Sequence, residues 1–542
     1  MNRLLKVVAL VGALFAGITT ADACTNFIVT RGASTDGSNM VTYAADSHGL
    51  YGSLYQYIPG KFTEWMDVTE WDTGRYIGKI KQAPVTYRTL GNSNEHSLFI
   101  TETTFGGRPE LEDPKGGIDY GSLIYITLQR AKTAREAIDI IVELANTYGY
   151  CSSGESFSLI DQKEAWIMEL IGKGPEDKGI VWVARRIPDG YVSAHANQAR
   201  ITTFPWNDPE NCIYAPDVAD VARKFGWFEG EDKDFSFADA YAPLDFGAMR
   251  GCEARVWAFF RTVADDMDQY EDYAMGHNPN NRMPLWVMPR EKVSPKLLMD
   301  CMRDHYEGTK MDMTSDIGAG GEGCPYRWRP MYFTVDGVEY CNERATATQQ
   351  TGFWLVGQAR PEKVGILWFG TDDAATSPLT PIYVNSLEVP EALKEGNGSM
   401  LEYSDTAMFW VTNRVAQFAY LRYNIVGKHV REEVDAWENA MIEAVNGMDT
   451  ALAQISNCKK ARKVATNFTV ATAQKLFNKW VELDKYLMVK YIDGNVKGEE
   501  NGKFIDNGNG KDIPGKILQP GYTENWKRAV AADKGEILKV VK

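Results

Sequence analysis

The sequence predicts an α+β protein, with antiparallel strand hairpins through most of its length and a helical C-terminal region. Three observations predict it. Phe27–Val29 and Met40–Tyr43 are short β-rich runs joined by the turn signal Asp36-Gly37-Ser38-Asn39. Further strand patterns recur as far as Val384. After about residue 400 the apolar period changes from two to 3.6 residues.

The chain opens with Arg3 and Lys6, an apolar run from Val7 to Ile18, and then small residues. Ala21-Asp22-Ala23 before Cys24 is a cutting pattern for a leader peptidase, whose subsites admit only small side chains. A signal peptide over 1–23 is therefore expected, with export to the periplasm or the medium. Cleavage would leave Cys24 as a new N-terminus at the start of the Thr25–Thr30 strand. One residue would then carry a thiol and a free α-amine, which has a pKa of about 7.7–8.0 and serves as a built-in base. Two other readings of Cys24 stay open. A lipid anchor wants a larger aliphatic residue where Ala21 stands and a small one where Asp22 stands; the other reading is a buried or disulfide-bonded cysteine.

The 542 residues are 44% hydrophobic and 24% charged, which supplies a sizeable core. A formal charge of −15 argues against nonspecific nucleic-acid binding, which needs basic patches. No apolar run after Ile18 approaches the roughly 20 residues of a membrane span. Eight cysteines and six histidines form no C-x-x-C and no H-x-x-x-H, so no structural zinc site is expected; chemistry on an N-terminal nucleophile calls for no metal, and no cofactor is expected.

The Asp36–Asn39 turn would bring Asp46, at the end of the second strand, back towards Cys24, where a carboxylate suits an α-amine. Asn94 lies in a polar turn before a short strand and the glycine-rich Gly106-Gly107-Arg108 exit; its amide suits a carbonyl oxygen or a plain turn. Thr133 and Glu136 form a capping box ahead of an amphipathic helix over 133–148. Ser156–Ile160 and Ala165–Leu170 flank a hairpin turn, and Gly179–Arg186 and Tyr191–Ala194 read as another pair around Pro188-Asp189-Gly190. His195 reads as a packing residue. Asn197, at a strand end, is a second oxyanion candidate, and Arg255 is either a fixed cation in a pocket or a surface ion-pair residue. Residues 205–250 read as an inserted loop with short helices. Gly318–Gly323 lacks the Gly-Lys-Ser/Thr ending of a phosphate loop. Residues 493–512 read as an exposed loop.

Cys24-Thr25-Asn26-Phe27-Ile28-Val29 and Gly32–Ser38 together resemble the opening of the C69 dipeptidases, relatives of penicillin V acylase and bile salt hydrolases. Asn94-Glu95-His96, Thr103–Arg108, Glu155 to Glu169, Ser193–Asn197, His305–Thr309 and Gly365–Gly370 continue the likeness in order to about residue 430. The resemblance implies an N-terminal nucleophile hydrolase fold, an αββα sandwich of two antiparallel sheets between helical layers, in 24–395. The helical region 396–542 would pack on it. It implies a dipeptide or small-peptide substrate cleaved through a thioester on Cys24. Asp46 would hold the amine, Asn94 and Asn197 would line the oxyanion site, and Arg255 would steady the thiolate or the substrate. The acylase relatives carry an Arg three places before the Asp, where this chain has Tyr43. The alternatives are an amidase for N-acyl amino acids or penicillins, or a non-catalytic lipidated surface binding protein.

Overall fold

The turn at Asp36 closes as its residues dictate. The Asp36 carboxylate accepts from Ser38 N at 3.1 Å and from Ser38 Oγ at 2.6 Å, and Gly37 takes φ +74°, a conformation that costs glycine little. Strands Asn26–Val29 and Asn39–Asp46 consequently pair with Ile28 opposite Val41 and Val29 opposite Met40. This computed structural model describes residues 24–541. The leader over 1–23 and its Ala21-Asp22-Ala23 cutting site lie outside the described residues.

That hairpin is the centre of a seven-stranded antiparallel sheet. Its order is Trp286–Val287, Val192–His195, Asn26–Val29, Asn39–Asp46, Thr351–Ala359, Ile366–Thr371 and Thr380–Tyr383. An eight-stranded antiparallel sheet faces it, built chiefly from Phe99–Gly106, Gly154–Ile160, Ala165–Gly172 and Ile180–Arg186. The first two of these pair with Thr104 opposite Glu155 and Glu102 opposite Phe157.

Helices cover the outer faces. Ala134–Tyr148 begins where Thr133 Oγ1 accepts from Glu136 N at 3.2 Å, ends at Gly149 with φ +85°, and packs on the eight-stranded sheet. Helices Met408–Tyr420, Lys428–Ala453 and Cys458–Tyr491 pack on the other sheet. Trp437 Nε1 donates to Leu379 O at 3.0 Å, and Leu476, Trp480 and Leu487 are fully buried. Each such side chain contributes about 1.5–3 kcal/mol on leaving water, which fastens the C-terminal helices to the sheet. The architecture is the expected α+β sandwich of sheets between helical layers.

Two expectations change. Ile180–Arg186 and Val192–His195 do not pair. The first joins Ala165–Gly172 in one sheet, while the second pairs with Asn26–Val29 in the other. The Pro188-Asp189-Gly190 turn carries the chain between sheets, and local alternation does not encode which strand a run will meet. Residues 493–512 are not wholly loop: Glu499–Glu500 pairs with Lys503–Phe504, and Val496–Lys497 pairs with Ile517–Leu518.

Candidate active site

Alternation along the first strand sends its side chains to two destinations. Thr25 and Phe27 face the helix Ala254–Val263: the Thr25 hydroxyl meets Arg255, and the Phe27 ring stacks on Phe259 at 4.3 Å. Cys24 and Asn26 turn to the facing sheet, where Asn26 Nδ2 donates to Glu102 O at 2.7 Å. The Cys24 thiol lies 3.4 Å from Glu102 Oε1 and 3.8 Å from the Tyr43 hydroxyl, and that hydroxyl donates to the same carboxyl oxygen. A buried thiol just ahead of the first strand, a phenol and a carboxyl from two other strands thus converge.

Glu102 has a second acidic neighbour. The registry of the two strands brings Glu155 beside it, and Thr104 Oγ1 donates to Glu155 Oε1 at 2.8 Å. Both carboxyls are fully buried. Burial raises Glu102 to about 7, and burial together with the Glu102 charge pushes Glu155 well above the usual carboxylate range. Burial also raises the Cys24 thiol, with the Glu102 and Asp46 charges adding to the rise.

Asp46 lies near enough to Cys24 for its charge to help raise the thiol. Its carboxylate pairs with Arg344 and accepts from Thr351 Oγ1 at 2.6 Å. Tyr306, within the His305–Thr309 motif, donates its hydroxyl to Arg344 O at 2.6 Å and so fixes that arginine's backbone.

Arg255 is buried, and its guanidinium is spread over the main chain at Cys24 and its neighbours. It donates to Cys24 O at 2.6 Å, Thr25 Oγ1 at 2.8 Å, Asn197 Oδ1 at 2.8 Å and Ala196 O at 3.1 Å. Asn197 follows the Val192–His195 strand at φ +59°, where Asn is tolerated better than most residues, and its Nδ2 donates to Thr104 O at 2.7 Å. An open cavity of about 400 Å³ reaches Asn197 past Phe105, Gln198 and Cys252.

Asn94 is not brought to this group. Its Nδ2 donates to Leu128 O and Ala131 O, both at 2.8 Å, and its Oδ1 accepts from His96 N at 2.9 Å. These bonds close its own turn and tie it to the end of helix Tyr120–Leu128. The residue this segment does deliver to the thiol is Glu102, which sequence reasoning missed. A carboxylate inside the apolar run Phe99–Phe105 was the available signal. His195 is a packing residue: its two ring nitrogens meet Thr103 Oγ1 and Ser158 Oγ, each at 2.7 Å, and burial lowers it to about 3.

Asp300, Asp435 and Glu438 lie close enough together to hold a cation, but Lys296, Arg303 and Arg431 are ion-paired to them. All eight cysteines are free thiols. Among the described residues no helix is long and apolar enough to cross a membrane.

The model of peptidase family C69 matches residues 53–436. A probable dipeptidase of Salmonella dublin is 26% identical over 309 residues, covering 54% of this chain and 68% of its own. Probable dipeptidase B of Streptococcus pyogenes serotype M1 is 23% identical, covering 88% of this chain and 94% of its own. Probable dipeptidase A of serotype M3 is likewise 23% identical, over 84% and 96%. The chain belongs to peptidase family C69 and is a hydrolase with an N-terminal nucleophile hydrolase fold.

Proposed function

We propose that this C69 peptidase is an exported cysteine-type dipeptidase whose nucleophile is Cys24, freed as the N-terminus when the leader over 1–23 is removed. The proposal includes a catalytic unit over 24–395 with the helical region 396–542 packed on it. The observation that supports it is the convergence on Cys24: a thiol beside Tyr43 and Glu102, and an Arg255 clamp on the same residue's carbonyl.

In this reading the Cys24 α-amine takes the thiol proton, and sulfur attacks the carbonyl carbon of the dipeptide. The carbonyl π-electrons move onto oxygen, and amide donors near Asn197 hold the resulting oxyanion. Collapse breaks the C–N bond, and the departing amine takes the proton from the α-ammonium. Water then opens the thioester by the same proton route and returns the thiol. Asp46, held by Arg344, keeps the N-terminal strand end in place, and Arg255 is a positioning residue for the Cys24 main chain.

N-terminal sequencing and intact mass of the exported protein, followed by dipeptide turnover in the Cys24→Ala variant, test this. A free Cys24 terminus and abolished turnover are expected. Turnover retained without the thiol, or a lipid on Cys24, would overturn it.

A further inference from the structure

Four buried carboxylates of this fold have a cation that the acidic pair beside the thiol lacks. Asp46 has Arg344, Glu253 has Arg200, Glu438 has Arg303 and Asp449 has Arg360. Burying a carboxylate is costly unless a cation or several donors compensate it, and these four obey that rule. Among the described residues, no lysine, arginine or histidine forms an ion pair with Glu102 or Glu155. The Oε2 atom of each is buried with no donor. Both are fully buried, and one of them touches the nucleophilic sulfur at 3.4 Å. A proton shared between the two carboxyls relieves half of the problem and leaves one negative charge.

A dipeptide carries the missing cation at the required place. Its α-nitrogen is two bonds from the carbonyl carbon under attack, a separation of about 2.5 Å. When that carbon sits about 3–3.5 Å from the attacking atom, the ammonium lies within about 6 Å of the sulfur, where a carboxyl touching that sulfur on the same side can meet it. Glu102 is such a group, and Tyr43 and Thr104 hold the two carboxyls in place by donating to them.

We infer that Glu102 and Glu155 form the binding site for the substrate's free α-ammonium, so that the enzyme requires an unblocked N-terminus. This rests on the dipeptidase reading and sharpens it. A blocked substrate, such as an N-acyl amino acid, would place an uncharged amide against a buried negative charge. The pair would then be a specificity device that separates peptidase from acylase chemistry on one scaffold.

The test compares Ala-Ala with N-acetyl-Ala-Ala in the wild type and in the Glu102→Gln and Glu155→Gln variants. The ratio of kcat/KM values for the two substrates is the readout, because it cancels the fraction of folded or activated enzyme. The wild type should favour the free dipeptide by at least about 10²-fold. Each variant should reduce that preference by about tenfold or more, with the loss mainly in KM for Ala-Ala, since sites built on buried polar partners discriminate strongly. An unchanged ratio in both variants overturns the inference. Equal slowing on both substrates also overturns it, because the pair would then serve the α-amine of Cys24 rather than the substrate. The dipeptidase reading fails separately, and takes the inference with it, if the wild type cleaves neither substrate or if Cys24→Ala cleaves as the wild type does.

Discussion

Arg255 donates to the carbonyl oxygen of Cys24 at 2.6 Å, joining residues 231 positions apart in the sequence. The same guanidinium reaches Thr25 and Asn197, so one cation sets the positions of both the main chain of the proposed nucleophile and an oxyanion candidate. A lysine has the charge but not the planar fork, so it cannot serve these acceptors together. Arg255→Lys should therefore lower kcat by about 10²-fold or more, the scale of losing a preorganised contact. KM should move less. Steady-state kinetics on a dipeptide checks this, and kcat within about threefold of the wild type would remove Arg255 from its positioning role.

Asn94 and Asn197 looked alike in the sequence and differ in the structure. Asn94→Ala leaves the buried Leu128 and Ala131 carbonyls unpaired, at a cost of about 1–3 kcal/mol each. Its urea midpoint should fall while kcat of the folded enzyme stays near the wild-type value. Asn197→Ala should do the reverse, with kcat dropping by about 10²–10³-fold. Denaturation and kinetics on the two variants side by side separate the roles, and matching profiles would contradict this division.

Asp46 and Arg344 form a buried ion pair that closes the floor of the site. Removing one partner leaves the other charge uncompensated, which costs about 3–5 kcal/mol. Asp46→Asn and Arg344→Met should each show this loss, and the double variant should lose less than the sum of the two. A double-mutant cycle on urea unfolding measures the coupling. Additive losses would mean the pair is not an energetic unit.

Two buried groups give opposite pH dependences of stability. Burial lowers His195 from 6.5 to about 3, so the folded state binds fewer protons than the unfolded one between these values. Its contribution is present above pH 6.5 and is lost as pH falls towards 3. Glu102 is raised from 4.5 to about 7, so its contribution is full below pH 4.5 and is lost as pH rises through 7. Urea midpoints measured from pH 4 to 8 should lose the first slope in His195→Gln and the second in Glu102→Gln. Unchanged slopes would remove these groups as the source.

Much of the fold was legible because it rests on local signals. The Asp36–Asn39 turn, the alternating run from Thr25, the Thr133–Glu136 cap and the 3.6-residue period of Ala473 to Leu487 each specify an element from its own residues. Cys24 stands out as a candidate for the same reason, since a small-residue pattern that suits a leader peptidase abuts a strand.

Local signals along the chain mark Cys24 as the candidate nucleophile, most of the strands and helices, and the family likeness that Peptidase C69 bears out. Which strands meet, and which side chains surround the sulfur, follow from long-range packing. Val192–His195 and Ile180–Arg186 alternate alike, yet they belong to different sheets. Glu102 and Glu155 lie in separate strands, and Tyr43 lies in a third on the opposite sheet. They converge because cross-strand register and the face-to-face packing of two sheets bring distant residues within a few ångströms. The energy of that convergence lies in burial and long-range pairing, which no local window of the chain contains.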